Sequence, residues 1–501
     1  MSLKYYLGID IGTSNTKALL YTLEGKLVNK ASVSYATLPS AEGIHEQQSD
    51  ILLEAFISAL RQVAYKFNSE IKAVCCSSAM HSLMAVDKNH HPLTNLITWA
   101  DNRSALQSSR FQHTEIGNRL ALATGTPIHP MSPLFKLIWL REEQPEIFQT
   151  ASKFISIKEY IFFNLFREYV IDHSMASSTG LFDIRQKIWD KEALRLAGVE
   201  VGQLSQPVPV SHIMTGMDKS YAIKTGLAES TPFIIGATDG CLATIGSHAV
   251  NVGDCALTIG TSGAVRMLTK KARHTHPSLF NYILDEEYYV AGGPINNGGI
   301  AVKWYAENFL NKKIDSDADL TFFAKDASTI APGSGGLLFL PYLLGERAPV
   351  WDAAARGVIF GINASHNHRH FMRALLEGIS FALFQVLQML EESICPAEKI
   401  FCSGGFTSSP EWLQLLSDVM GKEITVSINA DASASGAAMV AAKVLDGKLF
   451  SAFSIDEERV YSPDEKAHSV YEKIFPVYTG LYDSVKSHFA TMNSLHLPET
   501  L

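Results

Sequence analysis

The segment Gly8-Ile9-Asp10-Ile11-Gly12-Thr13-Ser14-Asn15-Thr16-Lys17 gathers backbone N–H groups, several hydroxyls, one carboxylate and one lysine into a short turn. Apolar runs on either side, Tyr5-Tyr6-Leu7 and Ala18-Leu19-Leu20-Tyr21, make it a hairpin between two strands. Concave backbone N–H groups and a lysine suit phosphate, and Asp10 suits the Mg²⁺ that accompanies nucleotide phosphates. Lys17 serves equally well as an ion-pair partner that steadies the hairpin. The loop is not a Walker A loop, because the Gly-x-x-x-x-Gly-Lys-Ser/Thr order is missing and a strand follows. Residues 251–264 repeat the theme, with a strand closing on Gly260-Thr261-Ser262 before the strand-like Val265-Arg266-Met267-Leu268. Two such hairpins indicate two related halves, each offering a phosphate grip. A third glycine element, Ser403-Gly404-Gly405-Phe406, follows a strand and precedes a helix capped by Ser408 or Ser409. Glycine permits close approach of a ligand there, and a helix N-terminus favours anions.

A second group of residues suits a polar small molecule. Ser77-Ser78-Ala79-Met80-His81-Ser82 leaves a buried strand, and His81 reads either as a satisfied core histidine or as a ligand contact. Trp99-Ala100-Asp101-Asn102-Arg103 supplies an aromatic wall, a carboxylate and a guanidinium. Arginine binds carboxylates as a fork, so Arg103 faces either a substrate or Asp101. Gly345-Glu346-Arg347-Ala348-Pro349 places another arginine in a turn. Asp239, in Gly236-Ala237-Thr238-Asp239-Gly240, stands between a strand and a helix, where it caps the helix or reaches into a cleft. Two strings mislead. Ser14-x-x-Lys17 with Lys224-Thr225-Gly226 hints at a serine acyl-enzyme but lacks the Ser-Asp-Asn element. His366-Asn367-His368-Arg369-His370 reads as a polar loop and first helical turn rather than a metal site, because alternate residues diverge on a helix.

The elements that must hold these residues form an α/β pattern. Hairpin strands fill 4–34, and a helix from about Ser49 carries Leu52, Leu53, Phe56, Leu60 and Val63 at helical spacing. Residues 73–77 and 233–235 read as buried strands, and 104–122, 133–143 and 238–245 as helices. Further on, 299–309, 371–392, 411–420 and 433–445 read as helices.

The chain resembles the FGGY family of carbohydrate kinases, within the superfamily of actin-like and sugar-kinase ATPases. Residues 131–143, from Met131-Ser132-Pro133 through Lys136 to Glu143, fit the family's N-terminal signature, and Gly357-Val358-Ile359-Phe360-Gly361 with the following helix fits the C-terminal one. The resemblance implies two ribonuclease-H-like (actin-like) α/β domains flanking a nucleotide and substrate cleft. The expected domains are 1–247 (sugar and first phosphate loop), 248–445 (nucleotide) and 446–501 (packing back on the first domain). By the same resemblance Asp239 is the general base and Asp10 holds Mg²⁺ directly or through water. Gly12, Thr13, Ser14, Lys17, Gly260 and Thr261 meet ATP phosphates. Gly299 and Lys303 line the nucleotide cleft, although relatives often carry an uncharged residue in place of Lys303. Gly404, Gly405 and Ser409 lie beside the adenosine. Met80, His81, Trp99, Asp101, Arg103, Asp239 and Arg347 surround the acceptor. Several strings around these residues resemble the branch that converts D-gluconate to 6-phosphogluconate, and xylulose kinases share some of them. An actin-like ATPase switch without a sugar is the alternative of another class, and it has no use for a Met-His and Trp-Asp-Arg pocket.

Composition sets limits. With 501 residues, 47% of them hydrophobic, the chain can bury at least two cores. A net charge of -9 with evenly scattered Lys and Arg argues against a nucleic-acid surface or a polybasic membrane patch. The six cysteines form no Cys-x-x-Cys pair, which suggests free thiols in a reducing compartment. No leader-like or spanning segment is evident, so a soluble cytoplasmic enzyme acting on a small sugar or sugar acid is expected, with a homodimer left open.

Overall fold

A computed structural model describes residues 3–36, 38, 43–272, 276–427, 431–453 and 458–494. They form two compact units, the first made of the chain up to Val252, Leu268–Ala291 and the stretch that begins at Asp431. Its sheet has the order Ile213–Met214, Phe233–Thr238, Ile71–Ser78, Tyr5–Ile11, Asn15–Thr22, Leu27–Ser34. The second, third and fourth of these run parallel, and Asn15–Thr22 folds back on Tyr5–Ile11 as the expected hairpin. The parallel strands are buried at nearly every position and mostly apolar, as strands covered on both faces are. Helix Ser49–Ala64 buries Leu52, Phe56, Leu60 and Val63 against Leu7, Ile9 and Leu20. Helices Asp239–Gly246 and Ala432–Asp446 join the other core, with Tyr6 and Leu19. Gly8 makes that second packing possible, because a Cβ there would lie 1.9 Å from the Ala434 carbonyl oxygen. The expected helix over 104–122 is two helices, Ala105–Ser109 and Glu115–Thr124. Thr114 interrupts it by accepting the Gly117 N–H at 3.0 Å and so capping a new start.

The second unit holds Gly253–Met267, the chain from Gly292 to residue 430, and the chain from residue 456. Strand Cys255–Ile259 pairs antiparallel with the strand that begins at Gly263 and parallel with Ile400–Ser403. Ile424–Ser427 and Glu458–Tyr461 extend the sheet. Helix His368–Ser393 is long and apolar enough to cross a membrane by length and composition, yet 72% of that stretch is buried inside the fold. The last helix, Glu465–Ser494, packs on it. Tyr478 donates to the Gly378 carbonyl at 3.1 Å, and Tyr471 bridges Arg373 and Glu377.

The linear division expected at 247/248 and 445/446 follows the chain, whereas the compact units cross it. Helix Ala432–Asp446 belongs to the first unit and the last helix to the second. Chain order does not reveal such a crossing, because a buried helix is chosen by the surface it matches rather than by its neighbours in sequence. The six cysteines form no disulfide; Cys395 is partly exposed and the others are buried.

Candidate active site

Parallel registers bring three strand ends of the first unit side by side: Asp10 opposite Ser77, Ile11 opposite Ser78, and Thr238 opposite Ser78. The carboxyl ends of strands in an open α/β sheet are where ligands bind. The Ser77 hydroxyl donates to Asp10 Oδ1 at 2.6 Å. Burial first, and then the charge of Asp239, push the Asp10 carboxyl up to about 7 against the pull of Ser77 and Lys17. Asp431 adds to the same repulsion.

Asp239 is the first residue of its helix, not the cap. Thr238 takes the cap, accepting from the Cys241 N–H at 3.4 Å, while Asp239 Oδ1 accepts from Gly240 N–H at 2.8 Å. The turn that presents Asp239 is braced from below. Thr238 N–H donates to Ser174 Oγ at 3.2 Å, and Lys158 Nζ reaches Asp172 Oδ2 at 2.7 Å and the Ala237 carbonyl at 3.2 Å. Lys158 and Asp172 are both buried, and a buried ion pair of this kind is invisible to motif reading.

Lys17 does form an ion pair, but not within the hairpin. Its Nζ lies 2.7 Å from Asp431 Oδ1, so it ties the hairpin to the start of helix Ala432–Asp446, where Asp431 makes no side-chain cap. The turn itself is held from outside. Tyr35 donates to the Gly12 carbonyl at 2.6 Å and Gln47 Nε2 to the Thr13 carbonyl at 2.6 Å. Trp99 Nε1 donates to Thr13 Oγ1 at 3.0 Å, which joins the Gly12-Thr13 turn to the Trp99 loop. Ser14 is exposed at the tip. Among the described residues no group of three His, Cys, Asp or Glu converges as a protein cage for a metal. Mg²⁺ keeps several waters and takes one or two carboxylates beside phosphate oxygens. Asp10, crowded by two other carboxylates, is suited to meet it.

The acceptor candidates lie on two neighbouring loops. His81 is buried at φ 67°, a left-handed conformation that costs a non-glycine residue about 1–3 kcal/mol. Its Nδ1 lies 2.7 Å from the Ser178 carbonyl and its Nε2 3.4 Å from the Tyr282 hydroxyl, the rings meeting edge-on. Met80 packs against the core around helix Ala432–Asp446. Arg103 is held by two carboxylates and an aromatic face. Its Nε bonds both oxygens of Asp101 at 3.1 and 3.0 Å, its Nη2 reaches Glu46 Oε1 at 2.6 Å, and its guanidinium lies 4.6 Å from the Trp139 ring. Asp101 also accepts from His45 N–H at 2.9 Å. The Asp101 pairing weighed from the sequence is the one observed, and Glu46 was not foreseen. Lys136, a residue of the signature-like segment with no role assigned from sequence, is buried and donates to the carbonyls of His81 and Thr98. Burial pushes its amine down to about 7.

In the second unit the parallel pairing of Thr258 with Ser403, whose hydroxyls are 3.0 Å apart, places the Gly260-Thr261 and Gly404-Gly405 turns at one sheet end. Gly299 N–H donates to the Gly260 carbonyl at 2.7 Å and Ile300 N–H to the Thr261 carbonyl at 3.1 Å, so helix Gly299–Phe309 starts on that turn. Gly404 has φ 107°, and a Cβ there would sit 2.3 Å from the Ile259 carbonyl oxygen. Ser409 is buried and caps helix Pro410–Met420 by accepting from Trp412 N–H at 3.3 Å, a structural task. Lys303 is partly exposed and lies 3.6 Å from Asp315. Arg347 is buried and donates to the Ile295 carbonyl at 3.0 Å. His366 and His370 belong to a loop and a capping box, as expected.

Two family models match the chain: the N-terminal domain of the FGGY family of carbohydrate kinases over residues 5–246 and the C-terminal domain over 255–445. The chain belongs to this family. It is 40% identical to a gluconokinase of Bacillus subtilis, over 95% of both chains, and 37% identical to one of Bacillus licheniformis, over 97% of both. Identity to a xylulose kinase of Bacillus subtilis is 28%, over 97% of this chain and 98% of that one. A crystal structure of gluconate kinase from Lactobacillus acidophilus superposes with a TM-score of 0.92 at 33% identity, covering 98% of this chain and all of that one. The fold is thus that of a two-domain, actin-like sugar kinase, an α/β enzyme that uses ATP with Mg²⁺ as phosphoryl donor.

Proposed function

We propose that this kinase phosphorylates D-gluconate to 6-phosphogluconate, by in-line transfer of the ATP γ-phosphoryl group to the primary hydroxyl. One observation carries the choice of sugar. Identity to gluconokinases is 37–40% over nearly the whole chain, against 28% to a xylulose kinase over the same span.

Asp239 accepts the proton of the attacking hydroxyl from its position at a helix start, where Thr238 and not Asp239 takes the cap. Asp10 holds Mg²⁺ directly or through water, and the ion supplies neutralisation of charge on the phosphate oxygens. Thr13 already accepts a hydrogen bond from Trp99, so its own proton is left to donate to a phosphate oxygen. Gly12, Ser14, Gly260, Thr261, Gly299, Gly404 and Gly405 present backbone to the nucleotide. Lys17 offsets the crowding of carboxylates at Asp10 while pairing with Asp431, and Ser409 acts as scaffold. Met80, His81, Trp99 and Asp101 wall the acceptor, with Arg103 holding Asp101 in place and Arg347 buried in its own turn.

The pentulose reading retains one observation: a ligand-bound xylulose kinase from Lactobacillus acidophilus matches with the same TM-score of 0.92 and 33% identity. A coupled ADP-release assay separates the two. D-gluconate should exceed D-xylulose in kcat/KM by about tenfold or more, the factor that about 1.4 kcal/mol provides. Equal or better turnover of D-xylulose moves the chain to the pentulose kinases.

A further inference from the structure

Burying a lysine amine is costly unless its protons find acceptors, and a methionine of similar volume would fill the same space without that cost. Lys136 is 1% exposed, yet its Nζ donates to the His81 carbonyl at 2.5 Å and to the Thr98 carbonyl at 2.7 Å. These two carbonyls belong to the two acceptor loops. The loops are bridged where Leu83 and Ile97 exchange backbone hydrogen bonds of 3.0 and 2.8 Å, and beyond that bridge they diverge toward His81 and toward Trp99. Lys136 holds them at the point of divergence. One of its two acceptors is the residue with the left-handed backbone, so the same contact helps retain a conformation that His81 would otherwise leave. Three residues along the same helix, the Trp139 ring lies under Arg103, whose guanidinium grips Asp101.

We infer that Lys136 is a positioning residue for acceptor binding: its buried side chain sets the separation of the Met80-His81 and Trp99-to-Arg103 loops and holds His81 in its strained backbone conformation. The inference rests on the acceptor reading of those loops, but not on which sugar acid or ketose they receive. Lys136 itself touches no acceptor.

The test compares Lys136→Met, which keeps volume and removes every donor, with Lys136→Gln, which keeps a shorter neutral donor. KM for D-gluconate and KM for ATP are measured separately in wild type and both variants. A merely structural lysine would lower the folded fraction, which scales apparent kcat and leaves KM unchanged. The expected result is a rise of about tenfold or more in acceptor KM for Lys136→Met, a smaller rise for Lys136→Gln, and an ATP KM within about twofold of wild type. An acceptor KM within about twofold of wild type in the folded fraction of Lys136→Met overturns the inference, as does an equal rise in both KM values. Should Lys136→Met not fold, Lys136→Gln decides alone by the same criteria. Wild type that turns over D-xylulose and not D-gluconate refutes the proposed sugar instead, and the KM comparison is then read with D-xylulose.

Discussion

At the scale of single residues, the two charged groups singled out for chemistry have different fates. Asp239 has its capping task removed by Thr238 and shares an electrostatic environment with Asp10. Asp239→Asn should keep the fold and ATP binding while lowering turnover by roughly 10²–10⁴-fold, because the amide cannot take the hydroxyl proton. Steady-state activity within about threefold of wild type would refute the general-base assignment. Arg103 is instead held by Asp101, Glu46 and the face of Trp139. A guanidinium so occupied is a poor candidate for reading a substrate carboxylate. Arg103→Met should therefore leave the D-gluconate over D-xylulose preference within about threefold of wild type and cost about 3 kcal/mol of stability, since it strips the buried Asp101 of its cation. A collapse of the preference in a variant of unchanged melting temperature would return Arg103 to the substrate.

At the scale of elements, the site depends on supports that sit one layer behind it. Helix Ile157–Phe166 starts with a capping box in which Glu159 accepts from the Ser156 N–H at 2.6 Å, and the same helix carries Lys158 to Asp172 and the Ala237 carbonyl. Burial pushes the Glu159 carboxyl from 4.5 up to about 7. Between those values the folded protein retains a proton that the unfolded chain has released, so this group's contribution is present below the lower value and lost as pH rises through the upper one. Glu159→Gln has no such proton to lose. Its melting temperature relative to wild type should climb between about pH 5 and about pH 8, and a flat difference across that range would place Glu159 outside the titration. The long-range pair of Lys17 and Asp431 is a second support of this kind, joining a hairpin at the start of the chain to a helix near its end.

At the scale of the whole molecule, each unit repeats one local plan: a hairpin with a Gly-Thr turn, its first strand parallel to a later strand that ends in a serine-bearing turn. ATP bound by such turns in a kinase rather than a switch should be consumed only with an acceptor present. ADP release without a sugar or sugar acid is expected to run at less than about one-hundredth of the rate with saturating D-gluconate, and acceptor-independent turnover at full rate would favour the ATPase-switch alternative. The strand–turn–strand patterns, the helices with strong periodicity and the family motifs were legible in the sequence by itself. So was the place of Asp239 between a strand and a helix, because it depends on the pattern of a few neighbours. Contacts between segments far apart in the chain were decided only by the tertiary structure. Arg103 was committed to Glu46, Lys17 to Asp431, and helix Ala432–Asp446 to the unit that begins the chain. Lys136 shows the reason most plainly. This lysine of an apolar helix has no role readable from its neighbours until the fold brings the carbonyls of His81 and Thr98 to its buried amine. Hydrogen-bond satisfaction is a property of the packed interior and has no local sequence pattern.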